Sequence, residues 1–122
     1  MARILITEDE EIVRKAILTV LQRAGHDVVE AATGEEALRL YREHPTDLVI
    51  VDIVLPGMDG LQVIQDLRRE YDQVKIIAVT GVRPESLTEA ERLGAHKTFA
   101  KPFDIQEFLG AVGELLDVQA AG

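Results

Sequence analysis

Asp47-Leu48-Val49-Ile50-Val51-Asp52 is apolar at all four positions between its two aspartates. A strand with one wet face alternates apolar and polar residues, whereas a run apolar throughout suits a central strand of a parallel sheet, covered by helices on both faces. Similar short runs lie at 3–7, 27–31, 75–80 and 97–100, and each is followed by a segment of helical period. Strand and helix therefore alternate five times, which is the pattern of βαβ units building an α/β fold on a parallel sheet.

The helices have legible ends and faces. The first, about 10–24, carries Val13, Ala16, Ile17, Val20, Leu21 and Ala24 on one stripe and meets a stop at Gly25, which leaves Leu18 on the far side as a candidate docking residue. The second opens on the capping-box pattern Thr33-x-x-Glu36 and ends before Pro45. The third follows the turn Pro56-Gly57-Met58-Asp59-Gly60 and presents Leu61, Ile64 and Leu67. Pro84 predicts the first turn of the fourth, which stops at Gly94. The last opens with Asp104-x-x-Glu107 and buries Phe108, Leu109, Val112, Leu115 and Leu116. Residues 118–122 read as a frayed tail after one domain at 1–117.

Composition narrows the function classes. A chain of 122 residues with 47% hydrophobic and 29% charged residues has the material for one folded core. The absence of cysteine removes disulfides, thiolate metal sites and thiol nucleophiles together. No apolar run reaches the roughly 20 residues of a membrane span, and no signal peptide is legible, so a cytoplasmic protein without membrane insertion is expected. A net charge of −9 opposes attraction to nucleic-acid phosphates, and no direct nucleic-acid binding is expected.

In an open parallel sheet, ligands bind at the carboxyl ends of the strands. Glu8 and Asp9 end the first strand, Asp52 the third, Thr80 the fourth and Lys101 the fifth, so these five residues are predicted to converge. Carboxylates about 4 Å apart repel by roughly 4 kcal/mol at an effective dielectric near 20. Three of them call for a cation, and hard oxygen ligands without Cys or a nearby His suit Mg²⁺. His26, His44 and His96 stand next to turns with no acidic constellation, and are expected to be solvated loop residues.

Four pieces of the chain, in order at the strand ends, carry a family resemblance: Ile4-Leu5-Ile6-Thr7-Glu8-Asp9-Glu10, Val51-Asp52-Ile53-Val54-Leu55-Pro56-Gly57-Met58-Asp59-Gly60, Val79-Thr80-Gly81 and Ala100-Lys101-Pro102-Phe103. The sequence resembles the receiver domain of two-component response regulators. That resemblance implies a flavodoxin-like doubly wound sheet of order 2-1-3-4-5 with five helices. It implies that Asp52 accepts a phosphoryl group from a sensor histidine kinase or histidine phosphotransfer protein, and that the phosphorylated state signals to a downstream target protein. Asp9 would coordinate Mg²⁺ directly and Glu8 partly through water, with Asp52 and the backbone carbonyl of Val54 completing the protein ligands. Lys101 would pair with Asp52 and then with a phosphoryl oxygen across a cis Lys101–Pro102 bond, while Thr80 would donate its hydroxyl and move inward.

The resemblance further implies a switch that catalyses only its own phosphorylation and dephosphorylation, with Val54 and Val82 flanking the path of the hydrolytic water. Thr98 departs from the family, which often has an aromatic there; Phe99, one place later, is expected in the core. Three other readings compete. An Asp-nucleophile phosphatase of the haloacid dehalogenase type would need a second acid where Val54 stands. A flavin carrier would need an uncharged first loop in place of Glu8-Asp9-Glu10-Glu11. A receiver-like interaction module that no longer takes phosphate would not need Asp52, Thr80 and Lys101 together.

Overall fold

The computed structural model describes residues 2–81 and 84–121, with side chains up to Leu116. Its elements alternate as β1 (Arg3–Thr7), α1 (Glu11–Arg23), β2 (Asp27–Ala31), α2 (Gly34–Glu43), β3 (Leu48–Asp52), α3 (Gly60–Glu70), β4 (Ile76–Thr80), α4 (Ser86–Leu93), β5 (Lys97–Ala100) and α5 (Ile105–Ala121). All strands are parallel in the order β2-β1-β3-β4-β5. The fold is the doubly wound flavodoxin-like α/β architecture read from the sequence.

Every residue of β3 is buried. Leu48 and Ile50 face one core with Ile17 and Leu21 of α1 and Phe108, Val112 and Leu115 of α5. Val49 and Val51 face the other, with Ala37 and Tyr41 of α2, Val63, Ile64 and Leu67 of α3, and Ala90 of α4. Full burial of such a side chain is worth about 2 kcal/mol, so β3 is costly to expose, as is β4, whose five residues are also buried. Phe99 packs at 5.6 Å from both Phe103 and Phe108 on the α1/α5 side, as expected for a core aromatic.

Local turns fix the end of β3 and the starts of α3 and α2. Asp59 caps α3 by accepting from Leu61 N at 2.7 Å. Gly60 packs directly on the Asp52 carbonyl and Ile53 Cα, where any Cβ would collide with the backbone. The carboxyl end of β3 is thereby pinned from behind. Thr33 accepts from Glu36 N at 3.1 Å and Glu36 reaches back to Ala32 N at 2.8 Å, which gives α2 the expected start.

Several local expectations are corrected. Leu18 is not on the far side of α1: it is partly buried against the α1/α5 core, as is Val28 of the edge strand β2. A helix lying over the sheet edge buries a wider arc than one stripe, so Ala16 is exposed while Leu18 is covered. The exposed large apolar residue of α1 is Ile12, at 86%. Pro84 precedes α4 instead of opening it, its carbonyl accepting from Leu87 N in the preceding turn. Backbone expected as tail from Val118 is helical through Ala121. His44 and His96 are exposed as expected, with His96 Nδ1 also accepting from Ile76 N at 3.2 Å, whereas His26 is half-buried and its Nδ1 is covered. Burial, with Arg68 and Lys75 adding to it, pushes the His96 imidazole below its usual value. Among the described residues no helix is long and apolar enough to cross a membrane.

Candidate functional site

Parallel pairing brings the strand ends together: Asp52 lies opposite Val79 and Thr80 opposite Ala100, so Lys101 follows directly onto the site. Lys101 N donates to the Thr80 carbonyl at 2.7 Å, and the Lys101–Pro102 bond is cis. The Lys101 ammonium lies 2.5 Å from Asp52 Oδ2 and 2.7 Å from Glu8 Oε1. Asp52 Oδ1 accepts from Val54 N at 2.8 Å, and Glu8 Oε2 accepts from Glu10 N at 3.2 Å. The Asp52 and Glu8 side chains are only 6% and 2% exposed. Thr80 is buried beside them at the end of β4.

Asp9 takes the opposite direction to Glu8 and is exposed. It shares a cavity of about 370 Å³ with Asp52, Val54, Gly81 and Lys101, whereas Glu8 does not line that space. All five predicted strand-end residues thus lie at one end of the sheet, but the three carboxylates do not crowd one cation. Among the described residues no group of three acidic or His side chains is arranged as a metal site. Lys101 stands between Glu8 and Asp52, so the cation that answers their repulsion in this structure is an ammonium. What remains open to a metal is the Asp9–Asp52 side of the cavity. Two carboxylates and nearby backbone carbonyls, all hard oxygen donors, fit Mg²⁺, which keeps several waters and is bound through one or two carboxylates.

Burial, then the neighbouring Asp52, push the Glu8 carboxyl up to about 7 against the pull of Lys101. Burial works to lower the Lys101 ammonium, and its bonds to Asp52 and Glu8 overcome that and hold it above its usual value. Glu8, Asp52 and Lys101 therefore form one electrostatic unit, a single ammonium shared by two buried carboxylates.

The family profile of the response regulator receiver domain matches residues 4–113. The chain belongs to that family. This receiver domain is 32% identical over 119 residues to sporulation initiation phosphotransferase F of Bacillus subtilis, with 97% of this chain and 96% of that protein covered. It is 41% identical over 117 residues to the probable transcriptional regulator ycf27 of Porphyridium aerugineum, covering 93% of this chain and 48% of the relative; it spans about half of that protein's length. A CheY-like receiver domain protein from Methanospirillum hungatei superposes with a TM-score of 0.92 at 29% identity over 99% of this chain and 98% of that one. The domain is thus a receiver module of two-component signalling.

Sequence reading missed two features of this receiver domain. An apolar groove of about 540 Å³ runs between α1 and α5 and reaches Gly81 and Lys101. Its apolar rim beside the cavity includes Ile12 and Ile105, the latter 42% exposed, and Val54, 39% exposed, stands at the cavity itself. The other is a contact from Arg14 to the Glu8 backbone. Isolated exposed apolar residues are ordinary, and only their gathering around one mouth marks them. Val82 lies outside the described residues.

The Glu8 carboxyl makes stability pH-dependent with a definite sign. Because its folded value is raised from 4.5 to about 7, the folded chain holds this proton more tightly than the unfolded chain. The contribution is complete below about pH 4.5 and is lost as pH rises toward about 7, by at most about 3 kcal/mol. Melting midpoints measured in chelator should fall across that window, and Glu8→Gln should remove most of the slope. An unchanged slope in that variant would contradict the assignment.

Proposed function

We propose that this receiver domain is a phosphorylation switch in which Asp52 accepts a phosphoryl group from a histidine of a sensor kinase or phosphotransfer protein. The observation that carries the reading is the Lys101 ammonium 2.5 Å from an Asp52 carboxylate that opens on a cavity shared with Asp9. A carboxylate oxygen of Asp52 attacks phosphorus while the phosphorus–nitrogen bond to the donor imidazole breaks; with the other ring nitrogen of the donor protonated, the products are an aspartyl phosphate and a neutral imidazole. Lys101 exchanges its bond to Asp52 for one to a phosphoryl oxygen, and the Thr80 hydroxyl donates to another. Asp9, Asp52 and the backbone carbonyl of Val54 would hold Mg²⁺, with Glu8 acting through water. When bound, that cation offsets negative charge on the carboxylates and the phosphoryl oxygens.

Residues 1–117 are the signalling unit in this reading, and it works in the cytoplasm through a downstream target protein without contacting nucleic acid. It catalyses nothing beyond its own phosphorylation and dephosphorylation. The relative from Bacillus subtilis is a phosphotransferase by name, which supports the relay chemistry. Thr98 is half-buried on β5, so any inward movement of Thr80 here proceeds without an aromatic ring at that position. The reading is tested by phosphate incorporation from a small phosphodonor with and without Mg²⁺.

A donor histidine carried on a helix would reach Asp52 across the rim made by Ile12, Val54 and Ile105. Ile12 takes the docking role that the sequence assigned to Leu18. Ile12→Arg should leave the melting midpoint and small-donor phosphorylation near native values. Transfer from the cognate partner should slow by about tenfold, the loss expected for an interface anchor worth roughly 1.4 kcal/mol. Equal slowing with both donors would mean that the pocket was damaged, and no slowing with either would move the docking surface elsewhere.

A further inference from the structure

We propose that Arg14 is a positioning residue of the Mg²⁺ site: its guanidinium fixes the peptide between Glu8 and Asp9, so that one carboxylate turns inward to Lys101 and the next outward into the cavity. Arg14 Nη1 donates to the Glu8 carbonyl at 2.9 Å and Nε to Glu30 Oε1 at 2.9 Å, and the side chain is only 13% exposed. On its other side Glu8 donates its N–H to Ala31 O at 3.0 Å, next in sequence to Glu30. The end of β2 therefore grips the Glu8 residue twice, once directly and once through Arg14. Lys15 Nζ holds the second Glu30 oxygen at 2.9 Å, and Lys15 foremost, with Arg14, keeps that carboxyl below its usual range. The anchor is thus an anion at neutral pH.

Consecutive residues at a strand end tend to point oppositely, but nothing in β1 alone sets the angle of the peptide once pairing with β3 stops at Thr7. A planar guanidinium can bond a carbonyl and a carboxylate at once in fixed geometry, which a lysine cannot. Mg²⁺ demands near-ideal octahedral placement at about 2.1 Å, so a small rotation of the peptide that carries Asp9 should weaken binding steeply. The inference rests on the proposed Mg²⁺ site and adds a residue that touches neither metal nor phosphate.

Calorimetric titration of the full chain with Mg²⁺ alone tests it. Arg14→Met, which keeps the aliphatic stem, should weaken Mg²⁺ binding by about tenfold, the lower end of the range for lost outer-shell partners. Arg14→Lys, a second variant that keeps the charge, should be weakened by about threefold, because it can reach only one of the two acceptors. Arg42→Ala removes an exposed ion pair to Glu70, between α2 and α3 and away from Glu8, and should bind Mg²⁺ as the native chain does. In phosphorylation by a small donor, the half-saturating Mg²⁺ of Arg14→Met should rise by the same factor, with the rate at saturating Mg²⁺ near native. If both Arg14 variants bind Mg²⁺ like the native chain, even with lowered melting midpoints, Arg14 is a structural staple and the inference fails alone. If the native chain binds no Mg²⁺ at millimolar concentration, the metal reading fails and takes this inference with it.

Discussion

Asp52→Asn is expected to remove phosphate acceptance from every donor while leaving the domain folded. The amide oxygen can still accept from Val54 N, which Asp52 Oδ1 does at 2.8 Å, and Lys101 keeps its bond to Glu8. The substitution exchanges one ion-pair contact for an amide beside an ammonium, and it also removes a negative charge from beside Glu8. These effects oppose each other, so the metal-free melting midpoint should move by no more than roughly 1 kcal/mol equivalent. Relief of crowding among the acids is only partial because Lys101 already compensates two of them. Loss of the attacking oxygen has no such compensation, and removal of a nucleophile commonly lowers rates by a factor on the order of 10⁴ or more. The Glu8 carboxyl should also return toward its ordinary range, since Asp52 is the second cause of its rise. Side-chain carboxyl titration by NMR can read that shift. Phosphorylation of the variant at a native rate would exclude Asp52 as the acceptor.

Lys101→Met should produce the largest loss of stability of any single change at the site. It leaves Glu8 and Asp52, at 2% and 6% side-chain exposure, facing each other without their shared cation. Removing one partner of a buried ion pair typically destabilises by about 3–5 kcal/mol, which corresponds to a midpoint lowered by roughly 10 °C or more in a domain of this size. The loss should be greater at pH 8 than at pH 5, because Glu8 binds a proton across that interval and protonation relieves the unpaired charge. Phosphorylation from a small donor should fall by about 10²-fold or more with the loss of a cation placed for the phosphoryl oxygens. A midpoint within a degree or two of native at pH 8 would show that the buried charges have another partner.

The fold was legible because its signals are local and agree with one another. The unbroken apolar run of β3 requires cover on both faces, and the two cores divide its residues by strict alternation. The location of the site followed from the same rule, since parallel strands bring Asp52, Thr80 and Lys101 to one edge. Directions of side chains past the strand ends were less legible. Glu8 and Asp9 are adjacent acids of similar chemistry, and only the inward turn of Glu8 to a lysine 93 residues away distinguishes their roles. Leu18 was misplaced because a single helical stripe assumes a flat contact, while α1 also covers the sheet edge. His96 is an exposed loop residue as expected, but its bond from a backbone N–H of β4 carries no sequence signal. Arg14 escaped notice for a similar reason, its acceptor being the Glu8 carbonyl.

The central claim, that Asp52 is the phosphoacceptor, is tested most directly by locating the phosphate. The native chain is incubated with Mg²⁺ and a small phosphodonor, the acyl phosphate is trapped by borohydride reduction, and the modified residue is identified by peptide mass spectrometry. The account predicts a single reduced residue at Asp52, formed with Mg²⁺ and strongly diminished in chelator. Modification at Glu8, Asp9 or any other residue, or no modification with Mg²⁺ present, would contradict it.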